Sequence, residues 1–239
     1  MEVPGLVGVS AIAIGGEHTC AILAGGRAEC WGWNVRGQVG DGSTIDRHGP
    51  VEVNGLASGV IAISAGGQHT CALLAHGAAK CWGYGEFGQL GGGSTADSTV
   101  PTDVVGLTAG IADITAGGNL TCSLMIDGGV ACWGVDLEGF ADITLIPTRV
   151  AVVGNSVAVV KAGFYHVCAG SANGSVICWG GNDVGQLGNG TTSDSSPPTL
   201  VKSMSAHACT PRAAIALTPD ASPMTGTGVN RAVFVPSPS

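Results

Sequence analysis

The amino-acid sequence predicts an all-β protein made of four copies of one unit, and three observations support this fold class. A segment of fifteen residues recurs at 18–32, 69–83, 120–134 and 166–180, and every copy ends in Cys-Trp-Gly. The 41 glycines divide the chain into short strand-like runs. Apolar residues nowhere follow the 3.6-residue period of a helix. The repeat therefore decides the fold class before any single residue does.

The second unit illustrates how one copy would fold. Residues 50–53 predict a short strand, and Asn54-Gly55 is a turn signal. Residues 60–65, 69–74 and 79–83 predict three further strands separated by glycines. Four short strands in a repeat of about fifty residues are typical of a propeller blade. We therefore predict a β-propeller of four-stranded blades, with about four blades present as a partial or open arc.

The unit boundaries follow from the spacing of the repeats. The first cysteines of the four copies stand at 20, 71, 122 and 168, which gives periods of 51, 51 and 46 residues. We place the propeller in residues 1–201, with units near 1–49, 50–100, 101–146 and 147–201. Residues 202–239 are rich in Pro, Ser and Thr and lack the blade pattern, so we expect a poorly ordered tail.

The composition excludes several kinds of partner. The formal net charge is −8, whereas nucleic-acid binding needs a positive surface, so we predict no nucleic-acid partner. No apolar run approaches the roughly 18 residues needed to cross a bilayer, and we expect no membrane insertion. The first ten residues lack the basic and apolar regions of a secretory signal peptide.

Two cysteines recur ten residues apart in every copy, with a glycine just after their midpoint. A three-residue hairpin loop requires glycine at its third place, and it would put the two cysteines directly opposite each other. We favour disulfide bonds, and the alternative is reduced cysteines that pack as small apolar residues. Disulfides imply an oxidising compartment, so we expect an extracellular or cell-surface protein although no signal peptide is visible. The predicted pairs are Cys20 with Cys30, Cys71 with Cys81, Cys122 with Cys132, and Cys168 with Cys178.

Two further residue types recur at fixed places. We predict that the repeated tryptophans fill the space between neighbouring blades, and stacking on a ligand is the alternative; they are Trp31, Trp82, Trp133 and Trp179. We predict that the repeated histidines form hydrogen bonds at strand ends, and catalysis is the alternative; they are His18, His69 and His166. The C-x9-C spacing is not that of a zinc site, and no catalytic or phosphate-binding motif occurs. We therefore predict no enzyme activity, no metal and no cofactor.

These repeats resemble those of a known family. The pattern A-G-G-x-H-T-C-A-L-L, followed by C-W-G and by G-Q-L-G at 88–91 and 185–188, resembles the regulator of chromosome condensation repeat. The cysteine-paired form is similar to repeats of bacterial extracellular members. The resemblance implies a propeller that most often has seven blades, which is more than four units can supply. The third unit departs from the pattern, because Leu120 replaces the histidine and G-Q-L-G is missing.

The loops that vary between the copies are where we expect function. Variable loops on a rigid scaffold are typical of recognition surfaces, and aromatic residues and arginine are the usual contacts. We predict a non-enzymatic module that binds a protein partner; the alternative for these side chains is ordinary packing against a neighbouring blade. The family resemblance implies a second function, guanine-nucleotide exchange or GTPase regulation, and a third is inhibition of an enzyme by a secreted propeller. The candidate partner-binding residues are Trp33, Arg36, Tyr84, Phe87 and Tyr165.

Overall fold

A computed structural model describes residues 2–135, 143–151 and 156–201, which form sixteen strands and no helix. The strands build four antiparallel sheets of four strands, each in chain order. We call these sheets blades 1 to 4, and the predicted all-β propeller-type blades are confirmed. Blade 1 is β1 (Val9–Ile14), β2 (His18–Leu23), β3 (Ala28–Gly32) and β4 (Arg47–Glu52); blade 2 is β5 (Val60–Ala65), β6 (His69–Leu74), β7 (Ala79–Gly83) and β8 (Ser98–Asp103). Blade 3 is β9 (Ile111–Ala116), β10 (Leu120–Met125), β11 (Val130–Val135) and β12 (Ile143–Arg149); blade 4 is β13 (Val157–Ala162), β14 (His166–Ser171), β15 (Val176–Gly180) and β16 (Ser195–Leu200).

One strand belongs to a different blade than the sequence analysis assigned. The prediction placed a strand at 50–53 at the start of the second unit, but β4 pairs with β3 and closes blade 1. The Asn54-Gly55 turn therefore connects two blades, and Gly55 has the positive φ of +74° that such a turn requires. Each blade thus begins at its apolar innermost strand. The polar strand that the sequence analysis took as the start of a unit is instead the outer edge of the preceding blade.

The central hairpin of each blade has the predicted geometry. In blade 1 the Leu23 N–H donates to the Arg27 carbonyl at 2.8 Å, which encloses a loop of three residues. Gly26 stands third in that loop with φ +80°. The loop aligns Cys20 directly opposite Cys30, and the same register holds in the other blades.

The predicted cysteine pairs all lie at bonding geometry. The two Cα atoms of each pair are 4.0 to 4.1 Å apart, and the sulfurs are at disulfide distance. The pairs are Cys20 with Cys30, Cys71 with Cys81, Cys122 with Cys132, and Cys168 with Cys178.

The second cysteine of a pair also connects the hairpin to the outer strand. The Cys81 carbonyl accepts from Thr102 Oγ1 at 2.8 Å, and the Cys178 carbonyl accepts from Thr199 Oγ1 at 3.2 Å. The Cys81 and Cys178 side chains are buried. Each of these residues is thus fixed twice, by the hydrogen bond of its carbonyl to the outer strand and by its sulfur contact with the partner cysteine. The sequence analysis predicted the sulfur contact but not the contact with the outer strand.

Successive blades are joined by hydrogen bonds that converge on one carbonyl. The Gln38 carbonyl of blade 1 accepts from Thr70 Oγ1 at 2.8 Å and from Trp82 Nε1 at 2.9 Å, both from blade 2. Trp82 is fully buried in an apolar cluster formed by blades 1 and 2. The next pair of blades repeats this arrangement with Gln89, Thr121 and Trp133. The predicted packing of these two tryptophans between blades is confirmed.

A histidine completes each of these connections. His18 Nε2 lies 2.8 Å from Thr70 Oγ1, and His69 Nε2 lies 2.8 Å from Thr121 Oγ1. Thr70 donates its hydroxyl hydrogen to the Gln38 carbonyl, so His18 must be the donor to Thr70. The hydrogen-bond network therefore places the hydrogen of the neutral His18 ring on Nε2. We call this set the blade joint: the histidine and glutamine carbonyl of one blade, with the threonine and tryptophan of the next. The predicted hydrogen-bonding role of His18 and His69 is confirmed.

The joint between blades 3 and 4 is apolar. Leu120 of blade 3 occupies the histidine position, and Val167 of blade 4 occupies the threonine position. Both are buried in one apolar cluster with Trp179. The two replacements compensate each other, because a threonine facing leucine would lose its histidine partner, and a histidine facing valine would be buried without an acceptor.

The histidines in the joints are neutral at physiological pH. Burial lowers the pKa of His18 from 6.5 to about 4. Burial, with a smaller contribution from the charge of His18, lowers the pKa of His69 to about 3. The Nδ1 atoms of both rings are buried without a hydrogen-bond partner, so a proton there would be an uncompensated buried charge.

We expect stability to fall in acid because of these joints. In the unfolded chain these histidines have a pKa near 6.5, and folding lowers it to about 4 for His18 and about 3 for His69. Their contribution to the free energy of unfolding is therefore complete above about pH 6.5 and is lost as the pH falls from there toward these folded-state values. Each histidine should contribute a slope of about 1.4 kcal/mol per pH unit in that range. Urea unfolding between pH 7 and pH 4.5 measures it. The double variant H18L/T70V copies the apolar joint, so its slope should be smaller by one histidine; an unchanged slope would contradict the assignment.

We also expect the cysteine pairs to be oxidised and stabilising. Removing one pair with C71A/C81A should lower the free energy of unfolding by about 3 kcal/mol, because the loop of roughly ten residues is no longer closed in the unfolded chain. Cys209 lies outside the four pairs and outside the described residues, so C209A is the control. Thiol counting on native, non-reduced protein should find at most one thiol per chain; eight or nine would disprove the pairing.

Candidate partner-binding face

The predicted recognition residues belong to loops at one end of the blades. Each loop that follows a Cys-Trp-Gly strand hydrogen bonds with the turn before the adjacent strand of its blade. Trp33 N–H donates to the Glu17 carbonyl, and Tyr84 N–H donates to the Gln68 carbonyl. In blade 4 the Gly181 N–H donates to the carbonyl of Tyr165. We call this end the loop face; it consists of residues 15–17, 33–46, 66–68, 84–97, 163–165 and 181–194.

A polar framework around a buried asparagine holds the loops of blades 1 and 4, and its aspartate recurs in blade 2. The buried Asn34 amide donates to the Ser43 and Ile45 carbonyls, and its oxygen accepts from the Val39 N–H. Asp46 accepts from the Asn34 backbone N–H at 2.8 Å. Asn182 and its aspartate repeat this network in blade 4. The sequence analysis did not single out these framework residues.

A repeated spacing could have revealed them. Each framework aspartate stands sixteen residues after the second cysteine of its blade, and accepts a hydrogen bond from the backbone N–H of the second loop residue. This framework gives successive loops the same backbone course, so the side chains that differ are displayed from equivalent positions. The matching residues are Cys30 with Asp46, Cys81 with Asp97, and Cys178 with Asp194.

Three of the five predicted residues lie together between blades 1 and 2. The Arg36 guanidinium carbon lies 4.5 Å from the centre of the Tyr84 ring, which is a cation–π contact. Arg36 Nη1 also lies 3.2 Å from Asp97 Oδ2. The Phe87 ring meets the Tyr84 ring edge-on with centres 5.8 Å apart. We call Arg36, Tyr84, Glu86, Phe87 and Asp97 the Arg36 cluster.

The other two candidates lie outside this cluster. Trp33 is half-buried and precedes Arg36 by three residues on the same loop. Tyr165 belongs to blade 4, where its ring meets that of Phe164 edge-on at 4.5 Å. Phe164 is 55% exposed and Tyr165 is 46% exposed, so a second aromatic patch exists at this end. The sequence analysis named Tyr165 but left Phe164 out of the candidate set.

The cluster combines a half-buried cation and phenol with exposed carboxylates. The Tyr84 hydroxyl hydrogen bonds with Glu86. Burial, followed by the hydrogen bond and charge of Glu86, raises the pKa of Tyr84 to about 12. The phenol is therefore a protonated donor at physiological pH. Such an arrangement suits recognition by stacking and hydrogen bonding.

Within the described ranges, no group of three or more His, Cys, Asp or Glu residues is placed to hold a metal ion. The described strands and loops include no helix with the length and apolarity to cross a bilayer. His18 and His69 are enclosed in the joints, where each already binds a threonine.

We expect the raised pKa of Tyr84 to be measurable. The chain has two tyrosines, so Y165F leaves Tyr84 as the single phenol. At pH 10, where an ordinary tyrosine is half-ionised, absorbance at alkaline pH should show Tyr84 still protonated. The further change E86Q should lower its pKa, because it removes the negative charge beside the hydroxyl. Half-ionisation of Tyr84 near pH 10 in Y165F would contradict the burial and the Glu86 contact.

Comparison with known proteins identifies the repeats. Two sequence models described as the regulator of chromosome condensation (RCC1) repeat match the chain. One matches residues 26–73, 77–124 and 173–214, and the other matches residues 9–38, 60–89 and 157–186.

Similar sequences and structures agree. The chain is 37% identical over 101 residues to the ultraviolet-B receptor UVR8 of Arabidopsis thaliana, covering 42% of this chain and 23% of the receptor. It is 32% identical over 130 residues to the mitochondrial RCC1 domain-containing protein RUG3 of the same plant, covering 54% and 29%.

The structure of human WBSCR16 matches with a TM-score of 0.74 and 26% identity, covering 82% of this chain and 54% of that one. Yeast RCC1 (Prp20), solved with Kap60, matches with a TM-score of 0.73 and 25% identity, covering 84% and 50%. The chain thus spans under a third of these curated relatives and about half of these solved chains. It belongs to the regulator of chromosome condensation repeat family.

Proposed function

We propose that this chain is a non-enzymatic protein-binding module whose loop face contacts a protein partner. The observation that carries the proposal is the Arg36 cluster, where residues from two blades form one partly exposed aromatic and charged surface. Arginine and tyrosine in such settings supply most of the binding energy in protein interfaces. The Phe164–Tyr165 pair would add a second contact.

The relatives support a binding role without naming a partner for this chain. The yeast protein RCC1 (Prp20) was solved bound to Kap60, and a second structure of Prp20p is described with its binding to Gsp1p and histones. RCC1-type propellers therefore bind proteins elsewhere.

The proposed contact has a definite chemistry. Arg36 is restrained by Tyr84 and Asp97, so little side-chain freedom remains to be lost when a partner binds. Glu86 and Asp97 are acidic residues of the same cluster, and the net charge of the whole chain is −8. We therefore expect the partner surface to carry basic residues around an apolar or aromatic centre.

The compartment is also part of the proposal. Four cysteine pairs at disulfide distance favour an oxidising environment outside the cytosol. Guanine-nucleotide exchange and inhibition of a secreted enzyme remain the alternatives. Faster nucleotide release from a small GTPase would favour the first alternative, and inhibition of a secreted enzyme would favour the second.

The double variant R36A/Y84A tests the binding proposal. A partner isolated with the wild-type chain should bind the variant at least about 30-fold more weakly in calorimetric titration, because two central contacts are lost. The matched control is R27A, which removes an arginine that closes the hairpin loop at the opposite end of blade 1. Equal affinity for all three proteins, or equal loss with R27A, would disprove a contact at the loop face.

A further inference from the structure

The first blade carries one unmatched half of the blade joint. Thr19 and Trp31 occupy the positions of Thr70 and Trp82. Thr70 and Trp82 are fully buried and bind the preceding blade, whereas Thr19 and Trp31 are only half-buried. The structure records no side-chain hydrogen bond from Thr19 or Trp31 to any described residue.

The fourth blade carries the complementary half. His166 is half-buried, whereas the equivalent His18 and His69 are buried. The Gln186 side chain orders its loop as the other glutamines do, by accepting the Val184 N–H. Its carbonyl, however, accepts no hydrogen bond from the described residues, whereas the carbonyl of Gln38 accepts two.

The apolar parts of the two end faces are also complementary. Ile12 of blade 1 is 62% exposed, whereas its equivalents under a preceding blade are the half-buried Ile63 and the buried Ile114 and Val160, which are 2% and 0% exposed. On the opposite end, Val176 of blade 4 is 41% exposed, and its equivalent Val130 is 1% exposed under the following blade. Both end faces thus expose apolar side chains at positions that are buried where two blades meet.

We propose that the blade 4 face of one copy binds the blade 1 face of a second copy, head to tail, through a blade joint. His166 Nε2 would donate to Thr19 Oγ1 of the other copy. Thr19 Oγ1 and Trp31 Nε1 would both donate to the Gln186 carbonyl. A second copy is the matching occupant because this joint already exists twice inside the chain with the same residue types.

The symmetry of such an assembly follows from the contact. Two different faces meet, so the association is heterologous and gives a closed ring or a filament. The contact uses the ends of the blade series and not the loop face, so it does not rest on the proposed partner binding.

The chain provides a compensating pair for the experiment. Sedimentation velocity of the full 239-residue chain over a range of concentrations should show reversible self-association. T19V should weaken it by about tenfold or more, because His166 then becomes buried without an acceptor. Adding H166L in the double variant T19V/H166L should restore most of the affinity, since Leu120 and Val167 already form such a joint. K80A, which breaks an ion pair on blade 2, is the control and should associate like wild type.

Three results would overturn the inference. The first is a chain that stays monomeric at every concentration, as expected if residues 202–239 or another protein cover the end faces. The second is T19V associating like wild type. The third is a double variant that is no stronger than T19V. Unchanged urea midpoints would show that the substitutions alter association and not folding, since both side chains are half-buried on end faces.

Discussion

Each of the two polar blade joints depends on one backbone acceptor. The Gln38 carbonyl receives a threonine hydroxyl and a tryptophan N–H from blade 2, which fixes both the position and the tilt of that blade. Gly40, two residues after Gln38, serves the same contact, because a Cβ there would lie 2.5 Å from Trp82 Nε1. The Gln38 side chain holds the loop from inside by accepting the Arg36 N–H. The G-Q-x-G motif is therefore explained by joining blades, with no ligand required.

The same contact determines where the surface can vary. Since the glutamine and the glycine two residues after it are needed for the joint, the loop positions that can vary are those beside them. Arg36 is one such position and Phe87 is its equivalent in blade 2. Arg36 reaches across the joint to Tyr84, so the rigid joint between blades is also what makes a two-blade recognition surface possible.

The sequence predicted what depends on local spacing and missed what depends on placement in space. The glycine after each cysteine midpoint was enough to predict the three-residue turn and the opposed cysteines. The strand at Arg47–Glu52 was assigned to the wrong blade, because a period cannot say which strand begins a unit. The stacking of Arg36 on Tyr84 could not be predicted, since it depends on the rotation between blades, which no residue pattern encodes.

The departures from the repeat show that complementarity is maintained across the joint between two blades and not within one blade. In the sequence, Leu120 replaces a histidine in the third copy and Val167 replaces a threonine in the fourth, and the two replacements look unrelated. In the structure they face each other across one joint and share an apolar cluster. A single replacement would have buried a polar group without a partner, whereas the pair exchanges one consistent joint for another. Repeats of this kind are therefore best compared by aligning the histidine of one copy with the threonine of the next, because the joint and not the blade is the unit that must stay complementary.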